Sequence, residues 1–216
     1  RHADMVLLGG KGQHSGALEM IYYQIQNGFK AANVSTMSAR AAELTKIAVN
    51  CYLTTKITYA NQVGQVMIRD GMEDEVKTVL KAIGSDRRIG TKYLNYGFGF
   101  GGPCFPRDNR AFAAYASKAG VETPLGATTD KFNDEHTNFL YDYYKKKNKD
   151  NLPYCFKYLT YKEGVDILTE SRPYDLAMSF INDGYDVYCL SSGKGLLIDP
   201  RIKFQTPTEP VCHVDL

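Results

Sequence analysis

The sequence predicts a mixed α and α/β protein, an all-helical middle built round one long helix with a small α/β module behind it. Three observations carry that expectation. From about Ala39 to Asp70 no proline occurs, and Leu44, Ile47, Ala48, Cys51, Ile57, Ala60, Val63, Val66 and Met67 recur at three- and four-residue steps, the spacing of one long helix or two collinear ones. Further segments up to about residue 148 keep helical spacing between glycine and proline breaks. After Asn151-Leu-Pro153 the pattern turns to strand, helix, strand, a unit whose strands lie parallel.

Taken in order, Met5-Val-Leu-Leu8, closed by Gly9-Gly10, reads as a strand and turn. Leu18, Ile21, Tyr22 and Ile25 put a helix over residues 15–27. That is too little for a domain and reads as the tail end of one. The long helix stops at Gly71, a good residue just past a helix end. Thirty residues of helix would run roughly 45 Å. Such a helix usually packs against something large, often a second subunit. Residues 73–83 form a short helix with Val76, Val79, Leu80 and Ile83 inward. Glycines and prolines make a loop of 97–106, and helices follow over about 108–119 and 124–148. The run Lys145-Lys146-Lys147-Asn148-Lys149 reads as a solvated helix end that suits the macrodipole. Tyr154–Thr160 is a strand. Ser171-Arg-Pro173 opens a helix with an N-cap serine and an early proline, and Gly184 ends it. Asp186–Leu190 and Ile202–Gln205 complete the strands. The expected divisions are 1–38, 39–150 and 151–216.

The 216 residues are 44% hydrophobic and 23% charged, with a formal net charge of +2. This excludes a disordered or collagen-like chain. No run of about eighteen apolar residues offers a membrane span. Near-neutral charge argues against nucleic acid as a partner. Five cysteines (Cys51, Cys104, Cys155, Cys189 and Cys212) are widely spaced with no C-x-x-C pair. Reduced thiols in a cytoplasmic protein fit better than a disulfide framework or structural zinc. The four histidines, His2, His14, His136 and His213, are scattered, and no metal site is expected. The opening Arg-His-Ala-Asp, without Met or an apolar signal segment, reads as a fragment or processed product.

Gly97-Phe-Gly99-Phe-Gly101-Gly102 satisfies G-x-G-x-x-G literally. A dinucleotide fingerprint needs a strand before it and a helix opening within it. Pro103 and Pro106 stand where that helix should begin and would block its first turns, so this reading is rejected. What remains is a flexible glycine stretch delivering Cys104 to a helix starting near Arg107-Asp108. A thiol ahead of a helix N-terminus, beside a basic side chain, has its pKa lowered, and thiolate is the nucleophilic form. Asp108 could return to the same site as a base. A buried spectator cysteine is the competing reading. Lys46 and Asn50 lie four apart on one helix face. They could hold an oxyanion, or be a solvated lysine and a surface asparagine.

Glu43-Leu-Thr-Lys46-Ile-Ala-Val-Asn50, Asp86-Arg-Arg88-Ile-Gly90-Thr-Lys-Tyr93-Leu, Gly99-Phe-Gly101-Gly102-Pro-Cys104-Phe-Pro-Arg-Asp108, and Tyr161-Lys162-Glu-Gly164-Val-Asp166 with Glu170-Ser171 follow in that order. Together they resemble the UDP-glucose/GDP-mannose dehydrogenase family, from the first strand to about residue 190. The Arg-Ile-Gly-x-Lys-Tyr-Leu segment looks more like the UDP-glucose branch. The resemblance implies the tail of an NAD-binding domain over 1–38, a helical central dimerisation domain over 39–150, and a shortened Rossmann-like nucleotide-sugar-binding domain over 151–216. It implies oxidation of the C6 alcohol of a UDP-sugar to the acid with two NAD. Cys104 would carry a thiohemiacetal and then a thioester. Lys46 and Asn50 would hold the oxyanion, and Asp108 would orient or deprotonate water. Phe100 and Gly101 would line the sugar pocket, with Tyr93 beside the nucleotide and Lys162 reaching the substrate. Arg88 would reach the partner subunit's site in a homodimer seamed by the long helix. Arg107 stands where many members have a cofactor-side lysine. Thr169 stands where the family's arginine meets the cofactor. The alternatives are a GDP-mannose or UDP-N-acetyl sugar 6-dehydrogenase, or a non-catalytic nucleotide-sugar-binding module.

Overall fold

The computed structural model describes residues 4–10, 13–25, 33–122, 124–191 and 197–216. The opening Arg1-His-Ala, with His2, and the end of the helix expected over 15–27 lie outside them. The chain forms two compact units, Arg1–Val49 and Asn50–Leu216, and mixes helices with small parallel sheets.

In the first unit, β1 (Met5–Gly9) and β2 (Asn33–Met37) pair in parallel, Met5 opposite Asn33 and Gly9 opposite Met37, with α1 (Gln13–Ile25) between them in sequence. The strand β2 is absent from the sequence reading. Asn33-Val-Ser-Thr-Met37 shows no apolar alternation and is mostly exposed; the ladder to β1 and the β-branched Val34 and Thr36 hold it extended. Ser38 starts α2 (Ala39–Arg69), its hydroxyl accepting the Ala41 N–H at 3.2 Å.

The helix α2 is 31 residues long and runs from the first unit into the second. It ends as the sequence requires. Gly71 takes φ +78°, and the Met72 N–H reaches back to the Met67 carbonyl at 2.8 Å, a helix-stopping geometry that costs a glycine nothing. A single 3-10 turn, Glu73–Glu75, leads into α3 (Val76–Ser85). Val76 and Leu80 of α3 bury against Ala60, Met67 and Leu94. Gly64 lets α2 meet the loop after α3. A Cβ there would lie 2.1 Å from the Tyr96 ring.

Then come α4 (Phe105–Lys118) and α5 (Pro124–Lys147). The helix α4 begins earlier than expected, with Pro106 inside its first turn. First-turn amides have no intrahelical acceptor, so the proline removes no bond. The lysines that end α5 are not simply solvated: Lys145 bonds Asp183 at 2.5 Å and Lys147 bonds Glu73 at 3.1 Å.

The second sheet is parallel throughout, in the order β5 (Ile202–Lys203), β4 (Val187–Cys189), β3 (Tyr154–Phe156), β6 (Cys212–Val214). The helix α6 (Arg172–Asn182) crosses from β3 to β4. Strand β3 is shorter than the expected 154–160, because the chain leaves the sheet after Phe156 for a long connection that includes Gly164 at φ +78° and Glu170 at φ +48°. Strand β6 is missing from the sequence reading, being only three residues. Ser171 sits at the N-cap of α6 but makes no side-chain cap; its buried hydroxyl donates to the Leu159 carbonyl at 2.6 Å instead. One core joins this sheet to the preceding helices. Phe180 stacks on Tyr154 at 3.7 Å and on Tyr141 of α5 at 5.3 Å, and Leu140, Tyr144 and Phe98 belong to the same cluster.

Gly64→Ala tests the α2 crossing. The added methyl must displace the Tyr96 ring, so a loss of about 1–3 kcal/mol of stability is expected in denaturant titration. Unchanged stability would mean the ring is free to swing away.

Candidate active site

Cys104 sits at the mouth of α4. It occupies the N-cap position, is solvent-exposed, and its carbonyl accepts the Asp108 N–H at 2.8 Å. It is therefore not a buried spectator. One turn on, the Asp108 side chain is 3% exposed while that of Arg107 is 61% exposed. Asn50 of α2 donates from Nδ2 to Asp108 Oδ2 at 2.6 Å. Arg107 donates to Asp108 Oδ1 from Nε at 3.1 Å and from Nη2 at 2.9 Å. The Arg107 pKa is raised, first by this hydrogen bond, with the neighbouring Cys104 sulfur among the smaller causes. Thiol, guanidinium, carboxylate and amide thus share one end of α4. Asn50 is not a surface asparagine.

The glycine stretch leading to Cys104 is not loose. Asn61 Oδ1 accepts the Gly97 N–H at 2.9 Å, and the Gly97 carbonyl meets His136 Nε2 at 2.7 Å. Asn133 brackets Phe100. Its Oδ1 accepts the Phe100 N–H at 2.9 Å, and its Nδ2 donates to the Phe100 carbonyl at 2.8 Å. The Gly102 N–H donates to the Thr169 carbonyl at 2.9 Å. No strand leads directly into the loop; the element before it is α3. Gly99 takes φ +108°, and a Cβ on it would lie 2.4 Å from Asn133 Oδ1; one on Gly101 would lie 2.2 Å from the Glu170 carbonyl oxygen. These glycines are set by close packing.

Other sequence-derived candidates are more scattered. Phe100 is buried and held through its backbone. Tyr93 takes φ +62° and packs edge-on to Phe105 at 6.2 Å, next to Cys104 in sequence. Arg88 is exposed and bound to Asp86 at 2.6 Å. Lys162 is exposed, its carbonyl accepting the Thr160 hydroxyl at 2.8 Å. Lys46 lies in the first compact unit, one turn of α2 before Asn50. Among the described residues no cluster of three or more His, Cys, Asp or Glu side chains suits a metal.

The sequence reading missed Asn61, Asn133, His136 and Gln65. Their signal was present as polar residues inside apolar stripes. Asn61 and Gln65 fall among Ala60, Val63 and Met67, and Asn133 and His136 among Phe132, Phe139 and Leu140. His136 is fully buried, with Gln65 Nε2 at 2.7 Å from its Nδ1. Phe132 and Phe139 stack on its ring, and Tyr96 meets it edge-on. Burial pushes its pKa down from 6.5 to about 4, against a smaller upward pull from the Gly97 carbonyl.

Residues 40–135 match the central domain of the UDP-glucose/GDP-mannose dehydrogenase family. The chain is 30% identical over 143 residues to a UDP-glucose 6-dehydrogenase of Pseudomonas aeruginosa, covering 66% of this chain and 31% of that protein. It is 28% identical over 191 residues to a GDP-mannose 6-dehydrogenase of Pseudomonas savastanoi pv. phaseolicola, covering 87% and 42%. It superimposes on a UDP-glucose dehydrogenase from Pyrobaculum islandicum with a TM-score of 0.79 at 25% identity, over 94% of this chain and 47% of that one. The chain thus spans about 31% to 47% of the length of these relatives.

His136 makes stability depend on pH. Between pH 6.5 and 4 the unfolded chain binds a proton that the native site refuses. The stabilisation present above pH 6.5 is therefore lost as pH falls toward 4, by on the order of 3 kcal/mol. Unfolding titrations across that range should show a shallower slope for His136→Gln than for wild type. Equal slopes would acquit His136.

Residues 40–135 thus carry the central domain of the UDP-glucose/GDP-mannose dehydrogenase family, and similarity to dehydrogenases of that family extends over most of the chain.

Proposed function

We propose that this chain is the catalytic and dimerising part of an NAD-dependent UDP-glucose 6-dehydrogenase that makes UDP-glucuronate. In that reading residues 1–38, 39–150 and 151–216 are the tail of the cofactor domain, the central domain and the nucleotide-sugar domain. The observation that carries it is Cys104, exposed at the start of α4 with Arg107, Asp108 and Asn50 gathered behind it.

The chemistry runs in two oxidations at C6. NAD supplies the hydride acceptor. The first oxidation leaves an aldehyde, to which the Cys104 sulfur adds. The second turns that thiohemiacetal into a thioester, and water releases the acid and returns the thiol. Asp108 Oδ2 is held by Asn50, and Oδ1 by Arg107, so the carboxylate is fixed in direction and positioned to orient the hydrolytic water. One Asn50 N–H is spent on Asp108, which leaves the other for the oxyanion; Lys46 is assigned the charged donor's role in that reading. Arg107 uses two donors on Asp108 and is well exposed. Its remaining donors fit a cofactor group approaching the thiol from solvent.

The Arg88-Ile-Gly90-Thr-Lys-Tyr93-Leu segment resembles the UDP-glucose branch more than the GDP-mannose branch. Thr169 serves the fold through its backbone carbonyl, so the loss of an arginine there leaves the Cys104 loop intact. For the homodimer, Tyr52, Tyr59 and Val66 are 64%, 52% and 61% exposed at seven-residue steps along α2. They form one apolar stripe of a long helix that suits a second copy.

In the full-length protein, Cys104→Ser is expected to cut uronate formation from UDP-glucose by more than about 10³-fold. Normal uronate output would remove the thiol from the reaction. Product analysis on UDP-glucose, GDP-mannose and UDP-N-acetyl sugars decides the substrate, and dominant turnover of either alternative would displace UDP-glucose. Tyr59→Glu should shift the protein toward monomer in sedimentation velocity. Unchanged sedimentation would take α2 out of the seam.

A further inference from the structure

We infer that Asn133 is the positioning residue of the cysteine loop, setting where Cys104 stands through a two-point bracket on the Phe100 peptide. This rests on the reading of Cys104 as nucleophile. Asn133 lies on α5 and is 2% exposed, and its side chain bonds the Phe100 peptide rather than Cys104, Asp108, Asn50 or Arg107. Its carboxamide accepts from Phe100 N–H and donates to Phe100 C=O, as a neighbouring strand would. Arg172 Nε stands 3.5 Å from the same carbonyl, too long to replace the amide.

The bracket sits midway along the loop. Gly97 is tied upstream by Asn61 and His136, and Gly102 downstream by Thr169. Phe100 is four residues before Cys104, and without the bracket its two buried peptide groups have no comparable partner. Gly99 is moulded to Asn133, since any side chain there would strike its Oδ1. A sulfur displaced by about 1 Å from the reacting carbon can cost about 100-fold in rate.

An acid in the same place gives a distinctive signature. An ionised carboxylate accepts from Phe100 N–H but faces the Phe100 carbonyl with a second acceptor. The protonated acid regains the donor and restores both bonds. Asn133→Asp should therefore be impaired at neutral pH and recover relative to wild type as pH falls. Asn133→Ala should stay impaired at every pH.

The experiment compares wild type, Asn133→Asp and Asn133→Ala as full-length protein, well below their melting temperatures. It measures steady-state oxidation of UDP-glucose and amide hydrogen exchange over 97–104. Expected are a fall in kcat of about 100-fold for Asn133→Ala with KM unchanged, faster exchange confined to 97–104, and an Asn133→Asp to wild-type ratio that climbs toward acid. Wild-type kcat in both variants, or a ratio flat with pH, overturns the positioning role while leaving the dehydrogenase reading standing. If wild type oxidises no nucleotide sugar, that reading falls. Exchange then decides alone: acceleration confined to 97–104 upholds the bracket, and unaltered exchange overturns it. If Asn133→Ala does not fold, the pH dependence of Asn133→Asp carries the same decision.

Discussion

A glycine-rich loop inside a folded protein has a problem that helices and strands do not: its peptide groups have no ladder to join. Buried N–H and C=O groups left without partners each cost on the order of 1–3 kcal/mol. Between Gly97 and Gly102 this chain answers with side chains and a carbonyl borrowed from elsewhere. Asn61 comes from α2, Asn133 and His136 from α5, and the Thr169 carbonyl from the connection before α6. The rest of the second unit depends on that arrangement, because the loop can be satisfied only while α2, α5 and the α/β module keep these groups aimed at it. The place where Cys104 enters α4 follows from the same bonds.

The polar groups divide by depth. Those holding the loop are buried amides and a histidine whose protonation burial disfavours, so they carry no charge near neutral pH and incur little desolvation cost beyond the bonds they make. The charged contacts lie mostly outside. Lys145 with Asp183 and Lys147 with Glu73 tie the end of α5 to its neighbours at partly exposed sites, where solvent screening leaves each worth little. Asp108 is the exception, a nearly buried carboxylate. It is provided for on both oxygens by Asn50 and Arg107, as a buried charge requires. A fixed, well-donated carboxylate one turn from an exposed thiol is an arrangement that serves chemistry more than stability.

Much of this was legible in the sequence, and the pattern of what was not is informative. The long helix and its glycine stop were read within a residue, because an apolar face repeated over 31 positions leaves little ambiguity. Cys104, Arg107 and Asp108 could be singled out because they are close in the chain. Strands β2 and β6 were invisible, since short pieces in small parallel sheets lack a period long enough to register. The serine at 171 carried the residue type of a cap but spends its hydroxyl on Leu159, a tertiary preference that local rules do not contain. Asn133 and His136 escaped for a related reason. A polar residue in an apolar helix stripe says that something buried needs a partner, yet the partner lies more than thirty residues away in sequence.

The loop also shows why its literal dinucleotide pattern means something else. In a phosphate-binding fingerprint the glycines make room for a ligand. Here three of the four make room for the protein itself: Gly99 for the Asn133 carboxamide, Gly101 for the Glu170 carbonyl, Gly102 for the Tyr161 ring. Glycines and clamps therefore imply one another. Without the glycines the groups that satisfy the loop could not approach it, and without those groups a bare glycine stretch would wander and present its cysteine nowhere in particular. The conformational entropy that six residues rich in glycine would otherwise keep is removed by bonds from three directions. What results is a thiol on an inherently loose sequence that is nonetheless held in one place, and the same loss of freedom makes an otherwise ordinary cysteine usable as a nucleophile.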